Sequence, residues 1–376
     1  MNEPSDARIH PFDDDRPTLR GGFGTSVATS RLSLADVSLL DDVAACEPSP
    51  PPGPDPLVGV VVADRYRIVA PIGRGGMGVV YEVEHVRIGK LLAMKLLAGD
   101  LARDPVTVSR FKREALAASR LQSPNTVQVL DFGVWAGLSY LVMELVQGES
   151  LGRILRRGAA MSLARVCKIA VQVLGSLAEA HDKGVVHRDI KPDNVMLVRT
   201  PDGAEIAKLV DFGLAKLRDD VDEITSHGLV VGTPYYMPPE QIRGEPVDAR
   251  ADLYSVGALV YRLLTAEHVF DGAPLAVLSK HLHEAPAAPS ARAPARDVPA
   301  AVDRVVLKAL AKDPAARWTS ADELRAALVA AVHGAGSASL RRLLDPERVQ
   351  SIADRAAQAD VATRDDVDAY ERRLRR

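Results

Sequence analysis

The sequence predicts a two-lobed α+β fold, with a small, mainly antiparallel β lobe (60–145) ahead of a larger helical lobe (149–332). Three observations carry this. Strand-like runs at Arg65 to Ile72, Val79 to Val83 and Leu91 to Leu97 follow one another with turn residues between them. From Ser162 onward apolar residues recur at helical spacing instead, as in Val166, Ile169, Val173 and Leu177. Residues 1–56 show neither period and end in PSPPPGPDP, so they read as a disordered tail and Pro-rich linker.

Composition narrows the classes. With 376 residues, 47% hydrophobic and 26% charged, the chain is ordinary globular protein with room for a large core. A net charge of −3 supplies no basic field for nucleic acid or an anionic membrane. Two cysteines, Cys46 and Cys167, build no disulfide framework, which points to a reducing compartment. No apolar run reaches the ~18 residues of a membrane span, and the N-terminus lacks a signal-peptide pattern. A cytoplasmic protein is expected. In the tail, Leu32, Leu34, Val37, Leu39, Leu40 and Val43 allow one short amphipathic docking helix against a background of plain disorder.

The first lobe opens on Gly73, Gly75 and Gly78, a G-x-G-x-x-G pattern shared with dinucleotide sites. Its flanks decide. A dinucleotide site needs a helix after the last glycine, whereas Val79, Val80, Tyr81, Glu82 and Val83 favour a strand. Strand, glycine turn, strand is a hairpin over phosphates. The next strand, Leu91 to Leu97, is apolar except for Lys95. A lone buried ammonium is costly, so it calls for phosphates on one side and a carboxylate on the other. The following helix starts at Asp104 (N-cap) and Pro105, with Val108, Phe111, Ala115 and Ala118 as its apolar stripe. Glu114 borders that stripe and can reach inward, although a solvated helix glutamate reads the same way.

A buried strand spans 139–151 and ends at Gly148. Ser162 then caps a long core helix stopped by Gly184, in which Cys167 and His181 read as structural. Residues 187–213 follow: HRDIKPDN (His187 to Asn194), a hairpin built from Val195 to Val198 and Ile206 to Val210, and DFG (Asp211, Phe212, Gly213). In-line phosphoryl transfer needs acceptors for metal and one group at the incoming hydroxyl. Asp189 fits the hydroxyl, with Asn194 five positions on and Asp211 seventeen beyond that as metal ligands. Asp131, Phe132 and Gly133 also spell DFG, but with no base or second ligand upstream they read as a strand-end turn. Residues 248–265 form a second core helix, 285–300 a Pro- and Ala-rich loop, and 300–312 and 320–332 two more helices. The stretch 333–376 is a linker and charged helical tail, either solvated, packed on the large lobe or an interaction segment.

Over residues 66–332 these motifs resemble the eukaryotic-type protein kinase family, in particular its bacterial Ser/Thr members. The resemblance implies transfer of the ATP γ-phosphoryl to protein Ser or Thr hydroxyls, with Mg²⁺ (replaceable by Mn²⁺) held by Asn194 and Asp211. Asp189 is then the base, Lys191 steadies the γ-phosphate, Lys95 grips the α/β-phosphates and Glu114 positions Lys95. ATP would be lined by Ile72, Gly73, Arg74, Gly75, Gly76, Met77, Gly78, Val79, Val80 and Ala93, with Met143 behind the adenine and backbone groups of Glu144 and Val146 along its edge. Glu149 is a candidate ribose contact. Asp252 would hold the HRD backbone, and Arg317 would pair with Glu240, although Pro238 replaces the family's Ala before it. Gly232 and Thr233 match the substrate-facing turn; Lys191 and Thr233 favour Ser/Thr over Tyr. Arg188 suggests control by phosphorylation at Thr225 or Ser226, and Ser26, Thr29, Ser30 and Ser33 are further autophosphorylation candidates; an acidic loop ordered without phosphate is the alternative. The implied partners are protein substrates and a second copy for trans-autophosphorylation. Two other classes share the fold. A nucleotide-binding scaffold would lack one of Lys95, Asp189, Asn194 or Asp211, and a small-molecule phosphotransferase seldom carries the 232–240 segment with Arg317.

Overall fold

The computed structural model describes residues 55–75, 78–97, 104–158, 161–200, 202–212 and 234–333, all within the unit Pro54–Arg376. The tail with Cys46 and its serines, Gly76, Met77, Gly213, Thr225, Ser226, Gly232, Thr233 and the stretch 334–376 lie outside the described residues.

Six strands form one antiparallel sheet in the order β1-β2-β3-β4-β6-β5. They are β1 (Val61–Val62), β2 (Tyr66–Gly75), β3 (Gly78–His85), β4 (Leu91–Leu97), β5 (Val129–Trp135) and β6 (Leu138–Glu144). The β2–β3 hairpin closes at Gly75 opposite Gly78, and two register shifts bend it near Pro71. Gly78 has φ +151, a backbone that a side chain would strain. Because side chains alternate across a strand, the sheet separates two cores. Tyr66, Ile68, Tyr81, Val83 and Met94 pack on one face. Ala93, Leu141 and Met143 pack on the other with Phe111 and Ala115 of α1 (Pro105–Ala118). Asp104 caps that helix, its carboxylate accepting the Thr107 amide at 2.8 Å.

The helical lobe is built on α3 (Leu163–Asp182), capped by Ser162, whose hydroxyl accepts the Arg165 amide at 3.3 Å. Val166, Ile169, Val173 and Leu177 are buried as the spacing predicts, and the chain leaves through Gly184 at φ +72. The same lobe holds three shorter segments: α2 (Leu151–Arg156), the hairpin of β8 (Val195–Arg199) with β9 (Glu205–Leu209), and α4 (Pro239–Ile242). The short strand β7 (Glu149–Ser150) extends that hairpin into a second sheet. Helix α5 (Ala249–Thr265) is capped by Asp248 and buried nearly all round. Then come α6 (Pro274–His283), α7 (Pro289–Arg292), α8 (Ala300–Ala309) and α9 (Ala321–His333), the last packing on α3.

Two expectations fail for identifiable reasons. The stretch 285–300 is not wholly loop, because Pro289 and Pro294 each open a short helical turn at its first position. The early DFG is no turn either. Asp131 to Gly133 lie inside β5 after a register shift, where Asp131 accepts the Tyr66 hydroxyl at 2.8 Å and pairs with Arg65 at 3.2 Å.

Candidate active site

The loop from His187 to Asn194 is held from below by Asp252, a carboxylate with no exposed surface near the start of α5. It accepts the amides of His187 and Arg188, each at 2.8 Å, and the ring Nε2 of His181 at 2.8 Å. Such anchoring is needed because Arg188 sits at φ +66, a left-handed conformation that costs a long side chain about 1–3 kcal/mol. His187 is fully buried and donates from Nε2 to the Val210 carbonyl at 3.0 Å, while its ring lies 4.6 Å from that of Phe212. The Val210 amide in turn donates to the Asn194 carbonyl at 3.0 Å. Through these contacts the two motifs, far apart in sequence, share one backbone frame.

On that frame the Asp189 carboxylate accepts Lys191 Nζ at 2.7 Å and Asn194 Nδ2 at 2.9 Å through the same oxygen, Oδ2. Asn194 Nδ2 also donates to the Asp189 carbonyl at 2.8 Å. With the amide nitrogen committed twice, the amide oxygen of Asn194 is the atom that would be left for a cation. Asp211, at φ +62, is the carboxylate that would supply a second oxygen. Among the described residues no three His, Cys, Asp or Glu side chains form a metal cage. One carboxylate plus one amide oxygen instead suits Mg²⁺, which keeps several waters and leans on substrate phosphates.

Lys95 is 7% exposed on β4, and its ammonium lies 3.0 Å from Asp211 Oδ1. The Lys95–Glu114 pair expected from the sequence is therefore replaced by Lys95–Asp211. Glu114 instead lines a cavity between α1 and β6 with Ala118, Leu141, Met143, Asp211 and Phe212. A carboxylate brought from the hairpin competes directly for the same ammonium, and spacing along α1 alone does not reveal that competitor.

Val80 and Val146 border the core containing Ala93 and Met143, beside the Gly73–Gly78 hairpin, so the expected adenine-lining residues share one face of the sheet. Ile72 is 49% exposed at that hairpin, and Arg74 and Val79 pair across it. Arg74 is drawn to the sheet's other side, its Nη2 lying 2.8 Å from Asp55 Oδ2, which also accepts the Tyr81 hydroxyl at 3.1 Å. Glu149 is engaged by Arg157 at 3.0 Å and Arg153 at 3.8 Å.

Among the ion pairs the sequence reading missed, one lies at the connecting strand. Both carboxylate oxygens of Glu144 accept Lys208 Nζ, at 2.7 and 2.8 Å, and Oε1 also accepts the Gln128 amide at 2.9 Å. The strand joining the lobes is thus tied to β9 three residues before Asp211. Its signal was a lysine inside the apolar strand Ile206 to Val210, the same signal that singled out Lys95. Below the site, Arg317 and Glu240 form a buried two-point pair at 2.6 and 2.7 Å, as expected. Arg317 also donates to the carbonyls of Ala311, Arg250 and Lys312.

A β lobe over a helical lobe, with an Asp–Lys–Asn loop facing a second Asp, defines a protein kinase fold. The protein kinase domain family matches residues 66–329, and the chain belongs to it. It is 42% identical over 284 residues to the serine/threonine-protein kinase pkn3 of Myxococcus xanthus, covering 74% of this chain and 52% of that one. It is 38% identical over 322 residues to the serine/threonine-protein kinase PknB of Mycobacterium tuberculosis, covering 83% of this chain and 50% of that one. The chain thus spans about half the length of these relatives. The crystal structure of the Mycobacterium tuberculosis PknI kinase domain superposes with a TM-score of 0.59 at 30% identity, covering 73% of this chain and 98% of that one.

Proposed function

We propose that the chain transfers the γ-phosphoryl group of ATP to Ser or Thr hydroxyls of proteins, and that it labels its own Ser and Thr residues as part of a signalling role. The observation that carries the reading is the Asp189 carboxylate, oriented by Lys191 and Asn194 on a backbone pinned by Asp252. A carboxylate fixed this way can orient the incoming hydroxyl and take its proton as the bond to phosphorus forms. Lys191 is positioned to follow the charge that leaves the nucleotide for the new phosphate ester. Lys95 offers its ammonium to the α/β-phosphates once these displace Asp211 from it. Asn194 and Asp211 would hold the divalent metal, which would neutralise charge on the phosphates of the nucleotide. The relatives named serine/threonine-protein kinases support the choice of acceptor.

Among the described residues no helix is long and apolar enough to cross a membrane. Cys167 is a free, buried thiol whose pKa burial pushes up to about 12. We place the enzyme in the reducing cytoplasm as part of the same proposal.

The test is incubation with γ-labelled ATP and Mg²⁺ beside the variant Asp189→Asn. Label on Ser or Thr that disappears in the variant is the expected result. Nucleotide binding with no label on itself or on any protein offered would defeat the proposal and leave a scaffold.

A further inference from the structure

The hairpin expected to cover the phosphates is held from its far face by a carboxylate that the phosphotransfer chemistry does not use. The sheet gives the hairpin two sides. Val80 borders the core shared by Ala93 and Met143, on the face expected to meet nucleotide, while its neighbour Tyr81 packs into the opposite core with Tyr66, Ile68 and Met94. Asp55 lies on the Tyr81 side. Its Oδ2 accepts Arg74 Nη2 at 2.8 Å and the Tyr81 hydroxyl at 3.1 Å, one bond to each strand of the hairpin.

The two oxygens of Asp55 have separate tasks. Oδ1 accepts the Leu57 amide at 3.1 Å and so shapes the turn that carries Asp55 to the sheet. That turn is also fastened without the carboxylate. The Gly59 amide donates to the Ile68 carbonyl at 2.8 Å, the Ile68 amide donates to the Val60 carbonyl at 2.9 Å, and Leu57 packs against the outer core. Oδ2 is then free to serve the hairpin. The Asp55 side chain is 8% exposed and that of Arg74 62%, so the carboxylate is fixed and the guanidinium comes to it.

Glycine at 73, 75 and 78 removes the side chains that would stiffen the hairpin. A glycine-rich backbone loses more conformational freedom than any other when a ligand orders it. A tether that orders the hairpin in advance takes part of that loss in the empty protein, and so raises affinity with no new contact to the ligand. Arg74 is the point of attachment. It stands between Gly73 and Gly75 and opposite Val79 in the register, so holding its side chain restrains the backbone on either side.

We infer that Asp55 is a positioning residue for nucleotide binding, acting through Arg74 to hold the glycine hairpin in place from the face opposite the phosphates. The inference rests on the kinase reading above and adds to it a determinant of ATP affinity outside the nucleotide pocket.

The full chain is compared with Asp55→Asn, Arg74→Ala and the double variant by steady-state kinetics and by equilibrium titration with a fluorescent ATP analogue and Mg²⁺. Asp55→Asn keeps the size of the side chain and an oxygen for the Leu57 amide while removing the charge that Arg74 meets. KM for ATP and Kd for the analogue should each rise ~3–5-fold in Asp55→Asn, as for an ion pair with one exposed partner, while kcat stays within ~2-fold. The double variant should bind no more weakly than Arg74→Ala alone, because the two residues act as one. Salt supplies a readout that a purely structural Asp55 would leave flat: the ratio of variant to wild-type Kd should approach one as ionic strength rises from ~0.05 to ~0.5 M. Unchanged KM and Kd in Asp55→Asn overturn the inference, and so does a rise that adds to that of Arg74→Ala or ignores salt. A lowered urea midpoint with unchanged Kd assigns Asp55 to stability alone and overturns it too. In each of these cases the kinase reading stands. A wild type that binds no nucleotide defeats the kinase reading and the inference with it.

Discussion

Lys95 Nζ and Asp211 Oδ1 lie 3.0 Å apart, so the ammonium expected to grip phosphate and the carboxylate expected to hold metal neutralise each other. A nucleotide gripped by Lys95 would compete with Asp211 for that ammonium. Lys95 is buried while Asp211 is 32% exposed at its side chain, so the pair is open to water on one side only. Replacing either partner removes charge stabilisation from the transferring phosphoryl group rather than a structural brace. Lys95→Met and Asp211→Asn should each lower the initial rate of transfer at least ~100-fold. Their melting temperatures should stay within a few degrees of wild type, about what 1 kcal/mol would move. Rates with labelled ATP and scanning calorimetry on the same preparations check both halves.

The Arg317–Glu240 pair makes the opposite prediction. Arg317 has no exposed side-chain surface and Glu240 has 5%. Removing one partner strands the other charge inside the lobe, at a cost of about 3–5 kcal/mol. Arg317→Ala should therefore lower the urea midpoint sharply, and activity should fall because the folded population falls. A midpoint within error of wild type would show that the clamp is dispensable.

Much of this was legible in the sequence because local rules and chemistry agreed. The glycine hairpin, the caps at Asp104 and Ser162, and the Asp189–Asn194 loop each follow from residue type and short spacing. What spacing cannot show is which of several carboxylates reaches a given cation in three dimensions. Lys95 had two candidates, Glu114 on the next helix and Asp211 116 positions along the chain, and the fold pairs it with the distant one. The Asp55–Arg74 contact escaped for the same reason, since it joins the end of the Pro-rich linker to the glycine hairpin. Asp131 to Gly133 show the converse, a motif whose letters match while its neighbours place it inside a strand.

Lys208 and Glu144 yield a third prediction. Lys208 is 8% exposed, and its ammonium holds both oxygens of the carboxylate on the segment expected to line adenine. Lys208→Met leaves Glu144 with only the Gln128 amide and frees the connecting strand from β9. KM for ATP should rise several-fold while kcat for transfer stays within ~3-fold, the pattern of lost uniform binding. Steady-state kinetics over a range of ATP concentrations separates this from a general loss of folded enzyme, which would lower kcat alone.

Acid should loosen the joint between the lobes first at Glu179. Burial raises its pKa, but Lys183 Nζ at 2.5 Å and the backbone amides of Gln122 and Ser123 outweigh burial, and the net value falls below the ordinary 4.5. A depressed carboxylate contributes stability that is full above its unfolded value and lost as pH falls through the folded one. Glu179 thus ties α3 to the turn after α1 at neutral pH and releases it as pH falls through its lowered folded value. Glu179→Gln, which weakens those charge-assisted bonds, should cost roughly 1–2 kcal/mol at pH 7. The difference between variant and wild type should shrink as pH falls from 5 toward 3 on the order of the carboxylate titration. Urea midpoints for both proteins across that range decide the matter, and a gap that stays constant with pH would mean that the Glu179 charge contributes nothing to the joint.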